Sequence, residues 1–145
     1  MKSARYLAIA IVASATAVSN VAGQTPEAEI PRYTVEDGKV DKGTYNGYRR
    51  FHGTCHACHG QDAMGSSFAP ALTESLKNLD YDTFVKTVLE GRQSTDASGA
   101  VKAMPAFNTD PNVFKHLDDI YRYLAARAAG VLPPGRPKKI PKKTS

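Results

Sequence analysis

Cys55-His56-Ala57-Cys58-His59 constrains this chain more than any other stretch. It has the form C-x-x-C-H, the attachment signature of a c-type haem. Two thiols three residues apart on one helical turn can each add across a haem vinyl group. The next residue, His59, then lies under the iron with an imidazole nitrogen to offer as proximal ligand. The sequence holds no cysteine besides these two, so no thiol is left for a disulfide or a thiolate cluster. A zinc site would need a second half that the chain lacks, and a redox dithiol would sit in a βαβ pattern that does not surround this motif. One covalent haem c is therefore the expected cofactor.

The start of the chain agrees with that chemistry. Lys2 and Arg5 form a positive region, Leu7 to Val18 an unbroken apolar or small run, and Val21-Ala22-Gly23 a small-residue cleavage site. Residues 1–23 read as a secretory signal peptide. The apolar run is too short for a membrane span, and no later segment approaches the roughly 20 apolar residues a span needs. A periplasmic mature chain without a transmembrane segment is expected. Bacterial c-type haems are attached outside the cytoplasmic membrane, so export and the motif support one another.

Charge is unevenly placed. Without Lys2 and Arg5, 17 basic residues face 14 acidic ones, a net of +3. Five of those basic residues (Arg136, Lys138, Lys139, Lys142 and Lys143) fall in the last ten positions. The body from Gln24 to Gly135 carries 12 basic and 14 acidic residues, a net of −2. The pI near 9.2 thus describes a tail and a leader, and no nucleic-acid partner is expected.

Residues 24–40 contain two prolines and no helical periodicity, which predicts an irregular arm. A first helix is expected from Asp41 or Thr44 through Tyr45, Tyr48 and Phe51 into the C-x-x-C-H turn. Residues 60–71 are rich in glycine, serine and proline, so they form a loop wrapping one side of the haem. A short helix is expected over Thr73 to Asn78. A clearer one has Asp82 or Thr83 as N-cap, Phe84, Val85, Val88 and Leu89 on one face, and Gly91 as its stop. The final helix opens at Pro111, carries Val113, Phe114, Leu117, Ile120, Tyr121 and Leu124 at helical spacing, and ends before Gly130. The tail, 131–145, has four prolines and no apolar periodicity, which predicts an extended, mobile segment. No β pattern stands out. The reading is all-α, with residues 41–130 as a domain of three to five helices around one haem that supplies apolar volume a chain this short lacks.

For a second axial ligand the candidates are Met64, Met104, His52, His56 and His116. A thioether favours reduced iron and raises the potential relative to a second histidine. Met64 is only five residues from His59 and would have to cross the whole porphyrin edge, so a rim position suits it. Met104 is 45 residues downstream, flanked by small Ala103 and Ala106 and followed by Pro105, which stiffens the backbone. Met104 is the expected ligand. His56 is expected to face solvent, and His52 and His116 to be surface or hydrogen-bonded histidines. A ligating histidine needs an acceptor for its other ring nitrogen, and the carbonyl of Pro70, 11 residues on, can supply it.

These residues together resemble a class I bacterial cytochrome c over about Lys42 to Ala129. The resemblance is carried by Gly47 and Phe51, Cys55-x-x-Cys58-His59-Gly60, Ala69-Pro70-Ala71-Leu72, Phe84 to Gly91, Met104-Pro105-Ala106-Phe107 and Tyr121 to Leu124. It implies a first and a last helix crossing near Gly47, with Phe51 and Tyr121 or Tyr123 packed around the contact. The stretches 41–51, 64–72 and 111–121, with Gly135-Arg-Pro137, are similar to cytochromes paired with periplasmic methanol dehydrogenases that use pyrroloquinoline quinone (PQQ), the lanthanide-dependent kind above all. That resemblance implies a monomeric electron carrier, not an enzyme. The carrier would take electrons from the dehydrogenase and pass them to a downstream cytochrome c or terminal oxidase. A general shuttle between a bc1-type complex and an oxidase is the alternative, and a five-coordinate haem enzyme or gas sensor a more distant one.

Overall fold

The Asp41 carboxylate decides where the first helix starts. One of its oxygens accepts from the Thr44 amide at 3.0 Å, the other from the Thr34 amide at 2.8 Å and the Thr44 hydroxyl at 2.6 Å. An N-cap of this kind satisfies amides that the first turn leaves unpaired. Helix α1 (Lys42–Arg50) follows, with Arg49 and Arg50 in its last turn, where positive charge suits the helix dipole. The chain widens into one π-helical turn over Phe51–Cys55 and re-tightens as α2 (His56–His59). Such turns insert a residue into the helical register and are frequent at functional sites. Gly60, at φ 74°, ends the run. The computed structural model describes residues 30–95 and 97–141. The expected leader, the first part of the arm and the last four residues lie outside the described residues.

Helix α3 (Leu72–Ser75) is a single turn. Helix α4 (Tyr81–Glu90) ends at Gly91 as expected, but its cap is Asp80, not Asp82 or Thr83: the Asp80 carboxylate accepts from the Thr83 amide at 2.7 Å. Asp82 falls instead in the first turn. The expected final helix is two helices, α5 (Pro111–Phe114) and α6 (Leu117–Ala128), broken at His116 with φ −131°. Apolar spacing could not register that break. Val113, Ile120 and Leu124 line one cavity from both sides of it, so the periodicity runs through the kink. With α1 and α2 taken as one run, five helical stretches are found among the described residues.

Short strands correct the expectation of no β structure. In the arm, β1 (Val35–Glu36) and β2 (Lys39–Val40) pair antiparallel, so it is not irregular throughout. The turn is Asp37-Gly38, both at positive φ, the two-residue signal that favours a tight hairpin. Strands β3 (Arg92–Thr95) and β4 (Val101–Met104) form a second hairpin, with Arg92 opposite Met104. Nearly every residue in it is exposed, so no face carries the apolar alternation by which strands are read.

The tail departs most from expectation. Its described part is fixed: β5 (Lys138–Lys139) runs parallel to β2, and the Ile140 amide donates to the Val40 carbonyl at 2.9 Å. Leu132 and Pro137 are buried. Prolines exclude a helix here, but one apolar anchor and a backbone ladder hold the segment.

The core joins Val40, Phe51, Phe84, Val88, Val113, Leu117, Ile120, Tyr123, Leu124 and Leu132. Its centre is the crossing of α1 over α6 at Gly47. A Cβ there would run into the Asp119 carbonyl and come within 3.0 Å of the Tyr123 Cβ. Phe51 and Tyr123, both fully buried, pack beside the crossing with ring centroids 5.5 Å apart. Tyr121 turns the other way, toward Tyr81 and Phe84. Gly47→Val is expected to force the helices apart and cost about 1–3 kcal/mol or more. A guanidinium denaturation midpoint no lower than wild type would contradict this packing.

Candidate cofactor site

The wide turn and α2 set the two cysteines at different depths. Cys55 is half-buried in the wall of an inner cavity with Phe84, Val88, Val113, Ile120 and Leu124. Burial, with Asp110 and Cys58 adding to it, pushes the Cys55 thiol up to about 11. Cys58 is exposed and borders an outer cavity that opens to solvent. The two cavities share His59, Leu72, Leu79, Thr87 and Met104 in their walls, so they make one slot with a closed apolar end and an open mouth.

His59 is buried, and its Nδ1 lies 3.0 Å from the Pro70 carbonyl oxygen. A carbonyl can only accept, so Nδ1 carries the hydrogen and Nε2 keeps its lone pair. The loop that brings Pro70 round is tied by the Gly65 amide to the His59 carbonyl at 2.7 Å. Gly60 and Gly65 meet back to back within it: a Cβ on Gly60 would strike the Gly65 carbonyl. The Ser66 hydroxyl adds a bond to the Cys58 carbonyl.

Met104 ends β4 and borders both parts of the slot. It stays there because Gly91 lets the two chain segments touch. A Cβ on Gly91 would sit 2.7 Å from the Met104 carbonyl and 3.0 Å from the Ala106 amide. The Phe107 amide donates to the Val88 carbonyl at 3.0 Å and closes the far side of the loop.

The other candidates sit away from the slot. Met64 is 59% exposed and lines neither cavity; its sulfur lies 3.5 Å from Arg127 Nη2. His52 lies 2.9 Å from the Tyr48 carbonyl and 3.5 Å from Asp62 Oδ1. His56 is half-buried and faces solvent less than expected. The helical run stacks its ring on His52 at 5.8 Å, and its Nδ1 is shielded from water with no partner among the described residues. His116 Nδ1 lies 3.3 Å from Asn46 Nδ2 on α1.

Sequence reasoning missed the support under the haem-side loop. Asp62 and Ala63 are buried with positive φ. Tyr123, whose phenol burial and the Asp62 charge push up, donates to Asp62 Oδ1 at 3.4 Å. Arg127 is 7% exposed, and its Nε donates to the Asp62 carbonyl at 3.2 Å and its Nη1 to the Leu132 carbonyl at 2.5 Å. One guanidinium thus joins α6, the loop after His59 and the tail. An arginine on an otherwise apolar face of α6 was the only signal for it. Arg92 and Lys102, at the mouth, were hidden because their hairpin was unseen.

The residues present fit a covalently attached porphyrin. Two cysteines flank an apolar slot, an imidazole is held by its far nitrogen, and a thioether from a separate loop borders the same space.

Arg127→Met is expected to orphan two buried carbonyls at about 1–3 kcal/mol each. Thermal denaturation should show a fall of several degrees in Tm; an unchanged Tm would mean that the loop and tail do not depend on the guanidinium.

Residues 44–124 match the family model described as cytochrome c oxidase, cbb3-type, subunit III. Cytochrome c-553I of Paracoccus denitrificans is 46% identical over 112 residues, 77% of this chain, and the chain spans about half of that relative's length (49%). Cytochrome c-555 of Methylococcus capsulatus is 39% identical over 69% of this chain and 75% of its own length. The crystal structure of the c-type cytochrome XoxG from Methylobacterium extorquens AM1 superposes with a TM-score of 0.68 at 45% identity, covering 77% of this chain and 68% of XoxG. With a matching family model over most of the folded chain and relatives at this level of identity, the chain belongs to the c-type cytochromes, electron carriers that bear covalent haem c.

Proposed function

We propose that this cytochrome works in the periplasm, takes electrons one at a time from a PQQ-dependent methanol dehydrogenase, and passes them to a downstream cytochrome c or terminal oxidase. The donor assignment rests on the resemblance of stretches 41–51, 64–72 and 111–121 to cytochromes paired with such dehydrogenases. The 45% identity to the cytochrome XoxG runs in the same direction. Export rests on the signal-like first 23 residues. Among the described residues no helix is long and apolar enough to cross a membrane.

Bound haem c supplies an iron that gains and loses one electron. The residues supply everything else. Cys55 and Cys58 hold the group by thioethers, one at the closed end of the slot and one at its mouth. His59 and Met104 would hold its iron from the two segments that border the slot. Pro70, by accepting from His59 Nδ1, fixes the tautomer and the ring's orientation and raises the basicity of Nε2. Met104 is a soft donor that favours the reduced state and so raises the potential. Phe84, Val88, Ile120 and Leu124 keep water from the inner end. With both side chains on the iron, no open site would remain for oxygen or peroxide. Cys58 and exposed Phe68 border the mouth, where a partner can approach closely. Contacts of that kind are small and transient, as turnover requires.

The observation that carries the ligand assignment is that His59 and Met104 border the same slot from loops locked independently, by Pro70 and by Gly91. Met104→Ala is expected to abolish the weak sulfur-to-iron absorption band of the oxidised protein. It should also lower the potential by on the order of 100 mV, within the roughly 0.8 V that axial ligation spans. Survival of the band would exclude Met104. For the donor, stopped-flow mixing with reduced methanol dehydrogenase should reduce the cytochrome at a rate proportional to dehydrogenase concentration. Failure there, with fast reduction by a bc1-type complex, would make it a general respiratory shuttle.

A further inference from the structure

The face made by the arm and the tail carries a concentration of positive charge that chemistry at the slot does not use. Strands β2 and β5 run side by side and set Lys39 beside Lys138. Lys139 Nζ stands 5.1 Å from the centre of the Tyr45 ring, and the Arg136 guanidinium carbon 5.7 Å from it. Arg136 Nε also donates to the Tyr45 hydroxyl at 3.0 Å. That bond holds the phenol below its ordinary value, and the charges of Arg136, Lys139 and Arg49 act in the same direction. Arg49, Arg136, Lys138 and Lys139 are exposed. The exposed acids Glu36 and Asp37 offset part of this. Glu36 faces Lys39 across the hairpin, Asp37 lies in the turn, and Asp41 is engaged by the cap of α1. None of these basic residues lines either cavity. The sequence then continues with Lys142 and Lys143.

We propose that this face binds the surface of an anionic phospholipid membrane. Its chemistry favours a lipid surface over a protein. Among its described basic residues Lys39, Lys138 and Lys139 outnumber Arg49 and Arg136, and lysine is depleted in protein interfaces. None of the large exposed apolar residues among the described residues belongs to β1, β2 or β5; Ile30 and Val131, in the arm and the tail, lie outside these strands. Lysines on flexible stems, fixed to a rigid three-stranded sheet, need no geometry from a fluid array of phosphates. None of its basic residues lines the slot, so a cytochrome held by them would leave Cys58 and Phe68 open to a redox partner. The carrier would then search for a membrane-bound acceptor in two dimensions. The inference does not depend on which enzyme donates the electron.

The test uses the mature holo-protein and sedimentation with vesicles. Vesicles of equal parts phosphatidylglycerol and phosphatidylcholine should carry the cytochrome down at low salt, and pure phosphatidylcholine vesicles should not. Release should be complete near 1 M salt, where the Debye length is about 3 Å. Each lysine neutralised should weaken partitioning about fivefold, the factor to which about 1 kcal/mol per basic residue corresponds. Lys138→Gln with Lys139→Gln should therefore lose about 25-fold while the haem spectrum stays unchanged. A chain ending at Pro141 separates the folded face from the last four residues and should keep most of the binding. Equal binding to both kinds of vesicle would overturn the proposal, as would full binding by the double variant. So would loss of all binding on truncation at Pro141. If vesicles fail to bind while an immobilised redox partner does, with loss in the same double variant, the face serves a protein instead.

Discussion

The fold depends on the close crossing of α1 over α6 at Gly47. Because a hydrogen stands where any other residue has a Cβ, the α6 backbone at Asp119 comes directly against α1. That contact sets the direction of everything that follows α1 in sequence. Phe51 seats against Tyr123, the helical run widens, and the cysteine turn is delivered to the cavity whose other wall α6 supplies through Ile120 and Leu124. The crossing is secured laterally by Asn46, which donates to the Asp119 carboxylate at 2.7 Å. Two helices, meeting at one glycine, thus build both sides of the slot.

The segments that complete the slot are shaped by backbone constraints more than by burial. Four positive-φ glycines at 60, 65, 91 and 130 end helices or tighten loops. Two of them, Gly60 and Gly91, bring the His59 and Met104 segments against neighbouring backbone at distances no side chain would permit. Polar bonds then hold the pieces: Pro70 on His59, and Arg127 across three segments. An apolar core alone would leave these loops free to shift.

Much of this was legible in the sequence. The C-x-x-C-H turn names its own cofactor, and the apolar spacing of residues 84–89 and 113–124 reports the helices that wall it. The outer ends of α1 and α6 were read closely, but α3 stops at Ser75 and not Asn78, the break at His116 was missed, and Asp80 rather than Asp82 or Thr83 caps α4, since nearby cap residues present the same signal. The strands were missed for a physical reason. A hairpin exposed on both faces, as at 92–104, has no alternation to read; Asp37-Gly38 carried a turn signal for the other hairpin, but two-residue strands beside it offered no pattern and the arm was read as irregular. The tail misled because its prolines and charges describe a solvated segment, while Leu132, Pro137 and a backbone ladder to Val40 fix it. Backbone pairing and a single buried anchor leave little trace in composition.

The ligand proposed opposite His59 is the Met104 sulfur and not that of Met64. Proton NMR of the reduced protein, labelled with carbon-13 at the methionine methyls, tests it directly. A methyl held over the face of a porphyrin is shifted far upfield by the ring current, and one at the rim is not. The account predicts a single upfield methyl that disappears in Met104→Leu and persists in Met64→Leu. An upfield signal that follows Met64, or none at all, would contradict it.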